Sequence, residues 1–173
     1  MFFIIISIIV ISIVGTLLHF VYDFTKHNKI VGLFGAVNES TWEHIKIALT
    51  PTIIWGVIDG YIYGGTSNYF FAKLMSLLTI IFLIPLLFYG YRYLFKRDNT
   101  FFNILVFYVA IVCSQLLFVF LISYDSIGYF LRYVSCLGTY IVFACYLLFT
   151  VMPIKNFLFK DPISNKYGFK GHS

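Results

Sequence analysis

Apolar residues run through this chain in five long stretches, at roughly 2–22, 42–63, 69–91, 101–124 and 129–152, with short polar turns between them. Each stretch matches the roughly 20 residues that a helix needs to cross a bilayer. The runs are apolar all round, without the second-residue alternation of a transmembrane strand. The pattern therefore predicts an all-α polytopic membrane protein: a bundle of five transmembrane helices over residues 1–153, followed by a tail at 154–173. The first run has no basic leading segment, and no A-x-A-like cleavage site follows it, so it reads as a retained span.

Composition agrees with the pattern. Of 173 residues, 61% are hydrophobic and 11% charged, and the mean hydropathy is +0.92. A soluble domain carries about 25% charged residues, so this chain lacks the polar surface that a water-soluble globule needs. Tyrosines such as Tyr61, Tyr63, Tyr89, Tyr91 and Tyr129 crowd the span ends, as expected at headgroup depth. Cys113, Cys136 and Cys145 lie inside the spans without metal-ligand spacing and read as small packing residues.

Charge sets an expected orientation. Lys26, Lys29, Arg92, Lys96, Arg97, Lys155, Lys160, Lys166 and Lys170 all fall in segments on one side of a five-span topology, and the segments on the other side hold no Lys or Arg. Cationic loops stay cytoplasmic, so the N-terminus is expected outside and the C-terminus inside a cell membrane. The expected partners are the lipid bilayer and the anionic headgroups of its cytoplasmic face; nucleic acid is not an expected partner.

Against this apolar background, the segment Val37 to Ala48 reads V-N-E-S-T-W-E-H-I-K-I-A. Ionisable groups at membrane depth are costly to desolvate, which makes such a cluster a candidate functional site. Ser40-Thr41-Trp42-Glu43 fits a capping box, in which Glu43 would reach back to the Ser40 N–H. That pairing would give Glu43 a purely structural role. Lys46 follows and is expected to snorkel towards the headgroups. On the first span, Gly15, His19 and Asp23 fall at i, i+4 and i+8 on one face, near the end where the second span begins. His19 and Asp23 are thus expected to meet Glu43 or His44 within hydrogen-bond or one-water reach. Asn38, Glu39 and Lys46 complete the candidate polar site. Two imidazoles and two carboxylates, His19, Asp23, Glu43 and His44, form a set that could hold a divalent metal, zinc above all. The spacing matches no zinc motif such as H-E-x-x-H, so the cofactor stays open between a metal and none. A proton relay or an acid/base pair uses the same groups.

Asp59 lies fifteen residues beyond His44, roughly 22 Å along a helix. It is expected either as an outer station of a path through the bundle or, more simply, as a span-end carboxylate solvated at the headgroups. Lys73 and Arg132 enter from the same end and are the residues that could pair with it. The terminal His172 is expected to be solvated, and the tail from Lys160 to Gly168 reads as a turn followed by a polar end.

The motifs G-x-x-x-H-F in the first span, V-G-L-F-G-A-V-N-E-S-T-W-E-H-I-K before the second, and D-P-I-S-N-K-Y-G in the tail together carry a resemblance. The chain resembles a family of small bacterial multi-pass membrane proteins, found largely in Firmicutes and classed as a domain of unknown function. The strongest part is N-E-S-x-W-E-H-x-K, here Asn38, Glu39, Ser40, Trp42, Glu43, His44 and Lys46. This chain has Ala36 where the family often carries a proline. The resemblance implies a bacterial cytoplasmic-membrane location and brings no activity with it.

Three functions compete on these observations. The first is a small permease-like or accessory component with a polar cytoplasmic-side site. The second is an intramembrane enzyme, metal-dependent or not, that acts on a lipid or lipid-linked substrate. The third is an assembly partner that binds another membrane protein through its aromatic helices. The absence of a catalytic motif favours the first.

Overall fold

A computed structural model describes residues 2–124 and 126–172, except for the side chains of residues 171 and 172, so the expectation for His172 lies outside what is described. The elements are helical: α1 Phe2–Phe24, a single turn α2 Lys29–Gly32, α3 Thr41–Tyr63, α4 Tyr69–Phe95, α5 Thr100–Ile122 and α6 Tyr129–Val151, with a terminal 3-10 turn. The five long helices are each long and apolar enough to cross a membrane. The fourth of the helices extends four residues past the expected end at Tyr91.

Helix α1 shows how the faces divide. Ile4, Ser7, Ile11 and Gly15 are buried, whereas Ile5, Ile9, Ile13 and Leu17 are about half exposed or more. Both sets follow the helical repeat, and both are largely apolar. In water an exposed stripe of this length would drive association; against hydrocarbon it is the outer wall. Tyr140 likewise lies exposed on α6, whereas Trp55 is buried and packs against Phe3.

Helix α4 packs on α3, α5 and α6, while α1 lies against α3 and α5. The tightest approach bearing on function is between α1 and α3. A Cβ on Gly15 would come within 2.8 Å of the Ile47 carbonyl oxygen and 2.7 Å of the Phe107 ring. Pro51 has no N–H, so the Ile47 carbonyl lacks its helical donor. That bare carbonyl is the one that meets the bare Cα of Gly15. The contact brings α1 close to α3 one turn before His19.

Between α2 and α3 the chain dips into the bundle as non-helical backbone. The Phe34 carbonyl accepts from Thr50 Oγ1, which lies roughly 14 Å along α3 from its start. Irregular backbone at this depth survives only where its polar groups find protein partners. The three successive carbonyls do so: Gly32 O accepts from Lys46 Nζ (2.9 Å), Leu33 O from the Tyr146 hydroxyl (2.9 Å) and Phe34 O from Thr50 (2.9 Å). The Ala36 N–H donates to Leu18 O at 3.1 Å, which ties the loop to α1.

The tail differs from the expected polar end. Phe159 is buried and stacks on Trp42 at 4.8 Å between centroids, and the backbone N–H of Trp42 donates to Leu158 O. A small closed turn, held by a bridge between Lys160 and Tyr167, carries Asp161 against the start of α3. The tail is therefore a strap across the mouth of the bundle.

Candidate functional site

The strap and the dipping loop together shape the segment Val37–His44. Helix α3 begins at Thr41 with Ser40 as its extended N-cap, as the sequence predicts, but the capping box does not form. The Ser40 side chain makes no cap bond, and the Ser40 N–H donates instead to Asn38 Oδ1 at 2.9 Å. Glu43 turns inward, where its Oε2 accepts from the Val37 N–H (2.9 Å) and from Lys46 Nζ (2.6 Å). Lys46 is fully buried, contrary to the expected snorkelling, because Gly32 O and the Glu43 carboxylate supply the partners that a headgroup would otherwise give. The Glu43–Lys46 pair thus fastens the dipping loop to α3.

With Glu43 drawn inward, Glu39 takes the place expected for it. Glu39 Oε1 lies 3.7 Å from His19 Nε2, and its Oε2 lies 3.7 Å from His44 Nε2. The two imidazole rings are 5.5 Å apart. One ligand atom from each of His19, Glu39 and His44 falls within 4.8 Å of the others. The site therefore brings together His19 and His44, as expected, but not Asp23 or Glu43. Asp23 lies one helical turn further along α1 and faces His27, 3.4 Å away.

Each member of the trio is held by a different part of the fold. His44 Nδ1 lies 3.0 Å from Ser40 O. A carbonyl oxygen can only accept, so Nδ1 carries the proton in this bond and Nε2 is directed at Glu39. His19 is carried by α1, whose approach to α3 depends on Gly15. Glu39 is oriented through its backbone: its N–H donates to Asp161 Oδ1 at 3.2 Å, and neighbouring Asn38 donates from Nδ2 to Gly168 O at 2.9 Å. Burial raises the Asp161 pKa, but bonds from Ser164, Glu39 and Ile163 outweigh it and hold the carboxyl below its ordinary range. Asp161 is the positioning residue that sequence reasoning missed. Its one legible signal was the D-P-I-S-N turn, which gives no hint of contact with Glu39.

The trio lies at the polar end of a cleft of about 380 Å³ between α1, α3 and α5. Phe20, Ile104 and Phe107 form apolar walls, and the Thr16 and Tyr108 hydroxyls, 3.0 Å apart, add polar atoms to the lining. Phe20 and Ile104 are about half exposed on the outer wall, so the cleft opens sideways between α1 and α5. A second cleft of about 230 Å³ shares Glu39 and is lined by Arg92, Lys160 and aromatic side chains.

Lys46 departs from its expected place at the headgroups, and Asp59 departs from the solvated alternative by pairing with Lys73, one of the two partners the sequence offered. Asp59 is buried, and its Oδ2 accepts from Lys73 Nζ at 2.6 Å. The Lys73 ammonium also stands 5.2 Å from the Phe118 ring, and Gly56 leaves room for its side chain. The pair closes the opposite end of the bundle and does not join the trio.

Comparison with curated proteins and with solved structures finds no match to this chain. A family model does match, over residues 2–169, which include every residue of the trio and the Asp161 strap. The chain belongs to the DUF6512 family, a family of unknown function.

Proposed function

We propose that this multi-pass membrane protein receives the polar head of a lipid or lipid-linked molecule in the cleft between α1 and α5 and acts on it at His19, Glu39 and His44. The observation that carries this reading is the position of the three groups: they stand at the polar end of a laterally open, mostly apolar cleft. A site with apolar walls and a few convergent polar groups is the usual form of a small-molecule site. Here the opening faces hydrocarbon, so an acyl or prenyl chain can lie along Phe20 and Ile104 while its head reaches the trio. Lys160, which lines the second cleft beside Glu39, favours an anionic head. This corresponds to the enzyme alternative among the functions read from the sequence. The permease-like reading draws its support from the buried Asp59–Lys73 pair at the other end of the bundle.

The proposed orientation places the trio at the cytoplasmic face of a bacterial cell membrane, following the positive-inside distribution. A reporter fused after Ser173 should behave as cytoplasmic, and an extracellular signal would reverse this placement. The cleft itself is tested by mass spectrometry of lipids retained by the purified full chain. Wild type should retain one amphiphile above its share of the bulk lipid. Ile104→Trp, which fills the cleft, should lose that enrichment, whereas Asp59→Asn should keep it. An identical lipid profile in wild type and Ile104→Trp would refute the reading.

A further inference from the structure

We infer that His19, Glu39 and His44 bind a divalent metal ion of the zinc class, with its fourth coordination position turned into the cleft. The assignment rests on the reading of that cleft as a ligand site and supplies the site's metal. It begins with the proton on His44. Because Nδ1–H is committed to the Ser40 carbonyl, a neutral His44 presents the lone pair of Nε2 to the Glu39 carboxylate. A lone pair facing a carboxylate is repulsive, and a cation shared by the two relieves that repulsion. A protonated imidazole would be such a partner, but N⁺–H···O⁻ bonds draw together to about 2.7–2.9 Å. Both imidazole nitrogens instead stand 3.7 Å from Glu39, each opposite a different oxygen.

That spacing suits a shared ion. Zinc binds His nitrogen and carboxylate oxygen at about 2.0–2.2 Å, so tetrahedral ligand atoms lie roughly 3.4 Å apart. The two Glu39–imidazole separations exceed this by a few tenths of an ångström, and the full set of three ligand atoms lies within 4.8 Å, so a bound ion would draw the imidazoles and the solvent-facing Glu39 side chain together. Two imidazoles and one carboxylate form the ligand set of open, three-ligand zinc sites. The bond from His44 to a backbone carbonyl is the usual support behind a metal-bound imidazole, since it fixes both tautomer and ring orientation. Each ligand is also separately anchored: His19 by the α1–α3 contact at Gly15, Glu39 through Asp161, and His44 through Ser40.

Charge completes the argument. A metal takes its imidazole ligands neutral, so beside the paired Glu43 and Lys46 the ligand set of two imidazoles and the Glu39 carboxylate would carry one negative charge. A divalent ion turns this into one net positive charge at the end of an apolar cleft. The open position can then take an oxyanion of a headgroup or a water molecule whose pKa the metal lowers.

The experiment uses the purified full chain in lipid nanodiscs, stripped of metal and titrated with Zn²⁺ alone, with binding followed by calorimetry and bound metal counted by elemental analysis. One Zn²⁺ per chain is expected. Glu39→Gln and His44→Gln should each weaken it by at least about tenfold, the lower range for disturbing a metal site. Asp23→Asn and Asp59→Asn should bind as wild type does. Glu39 is half exposed, so Glu39→Gln tests the site even if a histidine variant fails to fold. Absence of stoichiometric binding, or binding that Glu39→Gln and His44→Gln leave unchanged, overturns the proposal. Ile104→Trp separates the two readings, since it should lose the amphiphile and keep the metal. Zinc binding that fails while the amphiphile is retained removes the metal and leaves the cleft.

Discussion

Lys46→Met probes the device that shapes the site. The Lys46 ammonium serves two groups in a fully buried setting, the Glu43 carboxylate at 2.6 Å and the Gly32 carbonyl at 2.9 Å. Removing one partner from a buried ion pair costs about 3–5 kcal/mol, because the other charge is left uncompensated. The orphaned carbonyl adds about 1–3 kcal/mol, and the two overlap in part, so we expect a loss of about 4–6 kcal/mol. That is a large fraction of the roughly 5–15 kcal/mol that holds a typical protein folded. The double variant Glu43→Gln/Lys46→Met removes both charges, and the glutamine oxygen can still accept from Val37. Only the Gly32 carbonyl then lacks its donor, so the double variant should lose about 1–3 kcal/mol and be more stable than the single one. Reversible denaturant unfolding in mixed micelles, followed by tryptophan fluorescence, measures all three proteins. A single variant within about 1 kcal/mol of wild type, as for an exposed pair, would refute the buried-clamp account. So would a double variant no better than the single.

Other consequences concern the loop and the strap. Ser40→Ala should be nearly neutral because the Ser40 side chain makes no cap bond, whereas Asn38→Ala, which loses bonds to Ser40 and Gly168, should cost about 1–2 kcal/mol in the same unfolding assay. The depressed Asp161 carboxyl contributes stability that is complete above its ordinary value of 3.8 and is lost as pH falls through the lower folded-state value. Fluorescence of Trp42, which stacks on Phe159 of the strap, should therefore change on acidification below that value. Asp161→Asn should remove this acid step, and its persistence in that variant would assign the step to another group.

Much of the architecture was legible because apolar runs of membrane length leave few alternatives to helix. The start of α3 was legible for a local reason, since Ser40 ends an extended approach and Thr41 opens the helix. The side-chain roles nearby were harder to read. Glu43 sits where a capping box would put it, and nothing local reveals that the chain before it plunges between the helices. Once the backbone carbonyls of Gly32, Leu33 and Phe34 turn towards α3 and α6 they need donors, and Lys46, Tyr146 and Thr50 supply them. Glu43 then follows Lys46 inward. Glu39 was placed in the candidate polar site, but nothing in the sequence aims it at two histidines. Its anchor, Asp161, lies more than a hundred residues away, and no periodicity reports such a contact. Asp59 was read as an outer station or a solvated span-end carboxylate, with Lys73 or Arg132 as its candidate partner. The lysine that buries it enters from the next helix, after the tight turn at Gly64–Asn68.

The central claim is that His19, Glu39 and His44 converge on one point. X-ray absorption at the zinc edge of the loaded full chain tests it most directly. The account predicts a four-coordinate nitrogen and oxygen shell near 2.0–2.1 Å with outer-shell scattering from two imidazoles, reduced to one imidazole in His44→Gln. A six-coordinate, oxygen-only shell, or one that His44→Gln leaves unaltered, would contradict it.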